Sequence, residues 1–289
     1  MATPSTPSPN PAAGIEQPQI KWKAIAQIGA VFAILWAISF GVVPWIGYWG
    51  VIIAGVLTLV ALGFGLYIWR LTRKSRAIVD ILKGATDEGG RQQALERLKA
   101  SGKQGDAMNA LAQAQLVARD KPGDAIEILE GVDLKKAPAV VQDDVRANLG
   151  MLYLMHNRTR DARMLADDIR LDRQPQPKSK AMYAAVIAEA FSRTGKPEEA
   201  LKLLETYDAD DATYGEVRAM LYRAQVYTYM ASKKRGMAKT AMHRLGKIDP
   251  NMVAAFVAKG KDPELTKMAR DLLQRQGAIP KQKMRIQRG

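Results

Sequence analysis

The stretch LGMLYLMHNRTRDA, Leu149–Ala162, places a glycine inside an apolar run, an aromatic three residues later and one of the chain's two histidines near its end. The pattern is not confined to this place. AQAQLVARDKPGDA (112–125), IAEAFSRTGKPEEA (187–200) and QVYTYMASKKRGMA (225–238) align with it without a gap, each ending on alanine. Those alanines, Ala125, Ala162, Ala200 and Ala238, are 37, 38 and 38 residues apart. Nine residues before each stands a large side chain: Leu116, Tyr153, Phe191 or Tyr229. Four residues after each comes Leu129, Ala166, Leu204 or Met242. A near-constant period in this range marks stacked helix pairs, an α-solenoid. The stretch is therefore read as a packing unit, and His156 as a residue peculiar to one copy. Gly150 costs about 1 kcal/mol relative to alanine inside a helix. The expected return is close approach of the second helix of the pair, with Tyr153 filling the gap and Ala162 facing the contact.

The rest of 106–275 agrees. The breaks KPGD, HNRT, RTGKPEE and ASKKRG each separate two segments of helical apolar spacing, and no run of alternating β-branched residues occurs. The residues also resemble the tetratricopeptide repeats. That family shows the spacing of Leu149-Gly150, Tyr153 and Ala162, places a glycine as Gly195 stands before Ala200, and closes its repeat on a proline as at Pro250. The match is best in the second and third units. In the first, Gln113 replaces the small residue; in the fourth, Val226 replaces it and Lys233 replaces the turn glycine. The period of 37–38 exceeds the family's usual 34, which implies longer helices or loops.

Ahead of the repeats, the 46 residues from Ala24 to Trp69 contain no Asp, Glu, Lys, Arg or His. A spanning helix needs about 20 apolar residues, so this gap predicts two spans, 24–43 and 51–69, joined at VVPWIGYWG (42–50). Trp45, Tyr48 and Trp49 are side chains that settle at headgroup level. Lys21 and Lys23 precede the first span, and Arg70, Arg73, Lys74 and Arg76 follow the second. The positive-inside rule then puts both termini and the repeats in the cytoplasm. Small residues recur every four in the first span, at Gly29, Ala33, Ala37 and Gly41. The second carries Gly50, Ala54 and Thr58 on one stripe and Ala61 and Gly65 on another. Such stripes serve either packing of the hairpin on itself or a lateral homodimer. No ionisable residue lies in either span, which argues against an ion or proton pathway.

The resulting organisation is all-α. Residues 1–20 form a Pro-rich disordered leader, 21–74 a transmembrane hairpin, 75–105 a juxtamembrane helical connector, 106–275 the repeats and 276–289 a basic tail. In the connector, Ile78, Ile81 and Leu82 share one face, ATDEGG stops the helix, and RQQALERLKAS forms the next with Ala94, Leu95 and Leu98 inward.

The formal charge is +14, from 43 basic and 29 acidic residues. Its excess is concentrated beside the spans and in the tail, where Lys281, Lys283, Arg285 and Arg288 meet no acid. That distribution favours a lipid surface over nucleic acid. No cysteine is present, which removes disulfides and thiolate metal sites and fits a reducing compartment. His156 and His243 form no i, i+4 pair. DADDATYGE (208–216) lacks a ligand at Ala212 and the glycine at Thr213 that a calcium loop requires. TGKP (194–197) lacks a phosphate loop's first glycine, at Ala190, and its Ser/Thr, at Pro197. No Ser–His–Asp set is assignable, and the expectation is no enzyme and no cofactor.

The useful surface implied by the resemblance is the groove lined by the first helix of each pair. Its positions are Asp144, Ala147, Asn148, Met151 and Met155 in the second unit, Met182, Ala185, Glu189 and Arg193 in the third, and Met220, Arg223, Tyr227 and Met230 in the fourth. Of the Lys, Asn and Arg set with which some family members clamp a carboxylate, only Asn148 is present. The groove reads as methionine-rich and apolar, suited to an amphipathic helix or an extended apolar segment of a protein partner; the competing reading is that these methionines are ordinary core. The expected function is a membrane-anchored scaffold at the cytoplasmic face of a membrane, with a bacterial inner membrane as the expected location. The alternatives are an RNA-binding helical-repeat protein, which needs polar base-reading positions, and an enzyme subunit active only with a partner chain.

Overall fold

The computed structural model describes residues 22–83, 85, 88–101, 106–258 and 262–277. The leader 1–20 and the tail cations Lys281, Lys283, Arg285 and Arg288 lie outside the described residues, as do the side chains of Lys74 and Arg76. Among the described residues every regular element is a helix, so the fold is all-α. The chain divides into two units, Met1–Ser101 and Gly102–Gly289.

In the first unit, α1 (Trp22–Gly41) and a four-residue turn, α2 (Val43–Ile46), lead into α3 (Trp49–Lys83). Gly47 closes the turn at φ 66°, a left-handed conformation that costs glycine nothing. The 35 residues of α3 reach about 52 Å. Trp49–Tyr67 within it is long and apolar enough to cross a membrane; the apolar stretch Gly29–Trp45 is shorter. Among the described residues one such helix therefore passes that test where two spans were expected. α1 packs on α3, with Ala54 buried at the contact side and the Trp36 indole N–H donating to Thr58 Oγ1 at 3.1 Å. Thr58 in turn donates to the Ala54 carbonyl. The stripe Gly29, Ala33, Ala37, Gly41 is exposed along its whole length, and a Cβ at Gly29 or Gly41 would meet nothing within 4 Å. Hairpin packing thus uses the Ala54–Thr58 stripe and leaves that of α1 open. The connector starts as a continuation of α3, as its spacing predicts. It turns at Ala85 into α4 (Glu88–Ser101), which begins three residues earlier than expected, with Leu82, Ala85, Ala94 and Leu98 buried.

Among the described residues of the second unit, ten helices form five pairs: α5 (Ala107–Val117) with α6 (Pro122–Glu130), α7 (Ala139–Met155) with α8 (Thr159–Asp168), α9 (Pro177–Arg193) with α10 (Pro197–Leu204), α11 (Val217–Ala231) with α12 (Arg235–Ile248), and α13 (Pro250–Ala258) with α14 (Pro263–Arg275). First helices also touch in sequence: α5 meets α7, α7 meets α9, and α9 meets α11. This is a repeat-like order, and it can be checked atom by atom. Ala125, Ala162, Ala200 and Ala238 are all fully buried. At the ends of α7, α9 and α11, the backbone N–H of Arg158, Lys196 and Lys234 bonds the carbonyl of Tyr153, Phe191 and Tyr229 at 2.8, 2.8 and 2.7 Å. The residue before each cation, Asn157, Gly195 or Lys233, has positive φ. This is the six-to-one closure that ends a helix on a left-handed residue, repeated in register. The first unit departs from it: Lys121 N–H bonds the carbonyl of Val117 instead, in line with its weaker sequence match. The loops between pairs carry 3-10 turns at Leu134–Lys136, Leu171–Arg173 and Ala212–Tyr214. Proline at the first turn of α6, α9, α10 and α14 starts those helices where an N–H would lack a partner.

One expectation needs correction. A Cβ on Gly150 would approach Val186 Cγ1 of α9 at 3.1 Å, and no atom of α8 is within 4 Å. The glycine therefore serves the contact between successive first helices, not the contact inside its pair.

Lys233 occupies the left-handed position that Gly195 occupies one repeat earlier, at a cost of roughly 1–2 kcal/mol for a side chain with a Cβ. Lys233→Gly is expected to raise stability by about 1 kcal/mol and Gly195→Ala to lower it by a similar amount. Thermal melting of the full chain followed by circular dichroism checks both signs.

Candidate functional site on the first-helix face

The first helices present their shared face to two openings. The smaller, about 10 Å³, is lined by Met151, Glu189, Met220, Arg223 and Met252 among others, and has room for about one water molecule. The larger, about 330 Å³, is lined by Arg193, Tyr227, Met230, Phe256, Asn157 and Asp262 among others. An ionic cluster links the residues of the two. Arg223 grips Glu189 through two parallel bonds of 2.9 Å, and Arg193 adds a third at 2.8 Å. The Glu189 side chain is 6% exposed and that of Arg223 10%. Burial on its own pushes the Arg223 guanidinium toward a lower pKa; the charge and hydrogen bonds of Glu189 reverse this and leave it above the ordinary value. Arg193 also donates to the Leu154 carbonyl at 2.9 Å and to Asn157 Oδ1 at 2.5 Å. Its guanidinium lies over the Tyr227 ring, 4.6 Å from the centroid, and that ring leans on Phe256 at 5.2 Å.

The groove is therefore not the apolar, methionine-dominated surface that the sequence suggests: a buried ion cluster stands at its centre. Eight of the expected residues line the two openings. Met151, Ala185, Glu189, Met220 and Arg223 surround the small one, and Arg193, Tyr227 and Met230 the large one. Asn148, Met155 and Met182 are half-buried and line neither. Asn148 donates to the Asp144 carbonyl of its own helix at 2.8 Å, and Met182 packs against the α7–α9 core. Asn157, Met252, Phe256, Asp262 and Leu265 are additional lining residues. Three of these lie in α13 and α14 and one just before α14, in a fifth pair that lacks the alanine-and-aromatic pattern. Its only advance signal is the apolar spacing of Met252, Val253 and Phe256. His156 caps α7 and His243 lies within α12, on separate elements.

Behind the face, Tyr183 is fully buried and donates to Asp144, while Gln174 donates to the Tyr183 oxygen at 2.9 Å. Burial raises the Asp144 pKa above 3.8; the Tyr183 bond pulls it down and the Asp143 charge raises it further. A raised folded value means that the native chain binds this proton before the unfolded chain does. The group's penalty is full at neutral pH and is relieved as the pH falls toward 3.8. Asp144→Asn keeps an acceptor for Tyr183. It is expected to raise the urea midpoint at pH 7, with the gain shrinking as the buffer approaches about pH 4.

Comparison with protein-family models, with curated proteins and with solved structures found no match to this chain in any of the three.

Proposed function

We propose that this chain is a membrane-anchored helical-repeat scaffold of tetratricopeptide-like build, whose first-helix face captures a segment of a protein partner. The carrying observation is the 330 Å³ opening, bounded by consecutive first helices and walled by Arg193, Tyr227, Met230 and Phe256. A concave opening of this size, in which polar groups such as Arg193 and Asp262 stand beside Tyr227 and Met230, has the dimensions of a binding site. Anchoring is supported by the outer surface of residues 31–69, where Val31, Ile34, Ile38, Leu59, Phe64 and Trp69 are each more than half exposed. Soluble surfaces do not carry apolar area on that scale. A two-helix membrane hairpin fits this surface, with local thinning of the bilayer or snorkelling of flanking residues completing the shorter crossing by α1. The open stripe of α1 suits lateral pairing of two copies. Cytoplasmic termini follow from the flanking bases, and a bacterial inner membrane is the location we favour. Confinement to the membrane plane raises the partner's effective concentration.

The test is site-specific photo-crosslinking in native membranes. A crosslinker at position 230, inside the opening, is compared with one at position 164, on the exposed side of α8. A protein adduct from 230 and none from 164 supports capture by this face; equal adducts, or none from 230, remove it. Salt-sensitive RNA crosslinks from the same position would favour the nucleic-acid alternative.

A further inference from the structure

The second helices of the repeat unit differ in charge. α6 carries Asp124, Glu127 and Glu130 and no base. α8 and α10 each hold one more acid than base. α12 holds Arg235, Lys239, Arg244 and Lys247 and no acid, and Lys233 and Lys234 stand immediately before it. Ala238, Ala241, Met242 and Leu245 form its buried stripe. Gly236, Thr240, His243 and Lys247 form the opposite, exposed one. Two of these six cations are paired with acids of other elements, Arg235 with Glu264 at 2.7 Å and Arg244 with Asp210. Lys233, Lys234, Lys239 and Lys247 are exposed and have no ion-pair partner among the described residues. On one flank of the exposed stripe, Met237 and Ile248 are 50% and 41% exposed. A solvated helix face ordinarily mixes signs, because like charges three or four residues apart repel. Here Arg235 and Lys239, and Arg244 and Lys247, stand at those spacings with no acid in the helix to offset them.

We propose that the outward face of α12 docks on an anionic lipid surface. The inference rests on the anchoring reading above, since a chain held by a bilayer keeps that surface at high effective concentration. Each lysine close to an anionic leaflet strengthens attachment about five-fold. Gly236 and Thr240 are short, so the cations around them approach a flat surface together. Met237 and Ile248 reach the boundary between headgroups and acyl chains, where apolar side chains beside a basic helix face settle. RNA fits this face less well, because α12 carries no aromatic ring on which a base could stack.

The chain has no cysteine, so Thr240→Cys gives a single attachment point for an environment-sensitive fluorophore in the exposed stripe. Lys202→Cys, on the exposed side of α10, is the control. Each labelled full chain is reconstituted into nanodiscs of phosphatidylcholine, with or without phosphatidylglycerol. Incorporation is read separately, by co-elution of chain and disc. The expected result is blue-shifted, brighter emission from position 240 in the phosphatidylglycerol discs alone, and no change from position 202. Salt at about 1 M, where the Debye length is ~3 Å, abolishes the change. Lys239→Gln with Lys247→Gln, its melting temperature checked, lowers the docked-to-free ratio about 25-fold. With the chain in the discs, no change at 240, an equal change at 202, or indifference to salt or to the lysine substitutions overturns the inference and leaves the anchoring reading standing. A chain that never enters the discs overturns both. A change at 240 brought about in phosphatidylcholine discs by added RNA or polyglutamate, with none from phosphatidylglycerol, assigns the face to a soluble polyanion and overturns the lipid assignment.

Discussion

Glu189→Ala is expected to lower the stability of the repeat unit by about 3–5 kcal/mol, the cost of stranding a buried charge. Glu189 is the acceptor for both parallel donors of Arg223 and for one donor of Arg193. Arg223 has no other hydrogen-bond acceptor among the described residues, and its side chain is 10% exposed. Removing the carboxylate leaves that guanidinium buried without a counter-charge, a loss comparable with a large part of a domain's total stability. Arg193 suffers less, because Leu154 and Asn157 still accept from it. Glu189→Gln, which keeps one acceptor oxygen, should fall between. The double change Glu189→Met, Arg223→Met should recover most of the loss, since a buried ion pair is replaceable by apolar side chains of similar volume. Urea unfolding of the four chains under one buffer decides this. A midpoint for Glu189→Ala within error of the parent would mean that the cluster is solvated and the burial argument wrong.

Excision of residues 24–69 is expected to move the chain from the membrane pellet to the supernatant after alkaline extraction. The removed segment holds nearly all of the large apolar side chains that stand exposed. Among the described residues of the repeat unit, the exposed large apolar side chains are scattered, at Val140, Met164, Met237 and Ile248. A milder probe is Leu59→Arg, at the middle of Trp49–Tyr67, where a cation opposes insertion by roughly 2.5–3.5 kcal/mol. It should shift part of the chain to the soluble fraction. A parent chain found wholly in the supernatant would remove the anchoring proposal, while leaving the first-helix face untouched.

Much of this architecture is local in origin and therefore readable along the chain. The period of the alanines, the apolar spacing of each helix and the prolines that start helices all act within a few residues. They place Ala162, Ala200 and Ala238 in equivalent buried positions, and Tyr153, Phe191 and Tyr229 at equivalent helix ends. The end of α7 at Asn157 and of α11 at Lys233 was legible only through register with Gly195, because neither residue by itself announces a left-handed turn.

The sequence by itself determined the helical class, the register of four repeats and the uncharged 46-residue stretch, because periodicity and composition are properties of neighbours along a chain. Only the tertiary structure decided which of Gly150's neighbours it accommodates, that Glu189 joins two arginines from different helices, and that a fifth pair closes the large opening with Phe256 and Asp262. Apart from Glu189 and Arg193, which stand four residues apart on one helix, the residues that meet in these outcomes belong to different helices. Helical spacing states which way a side chain faces, and packing alone states what it meets.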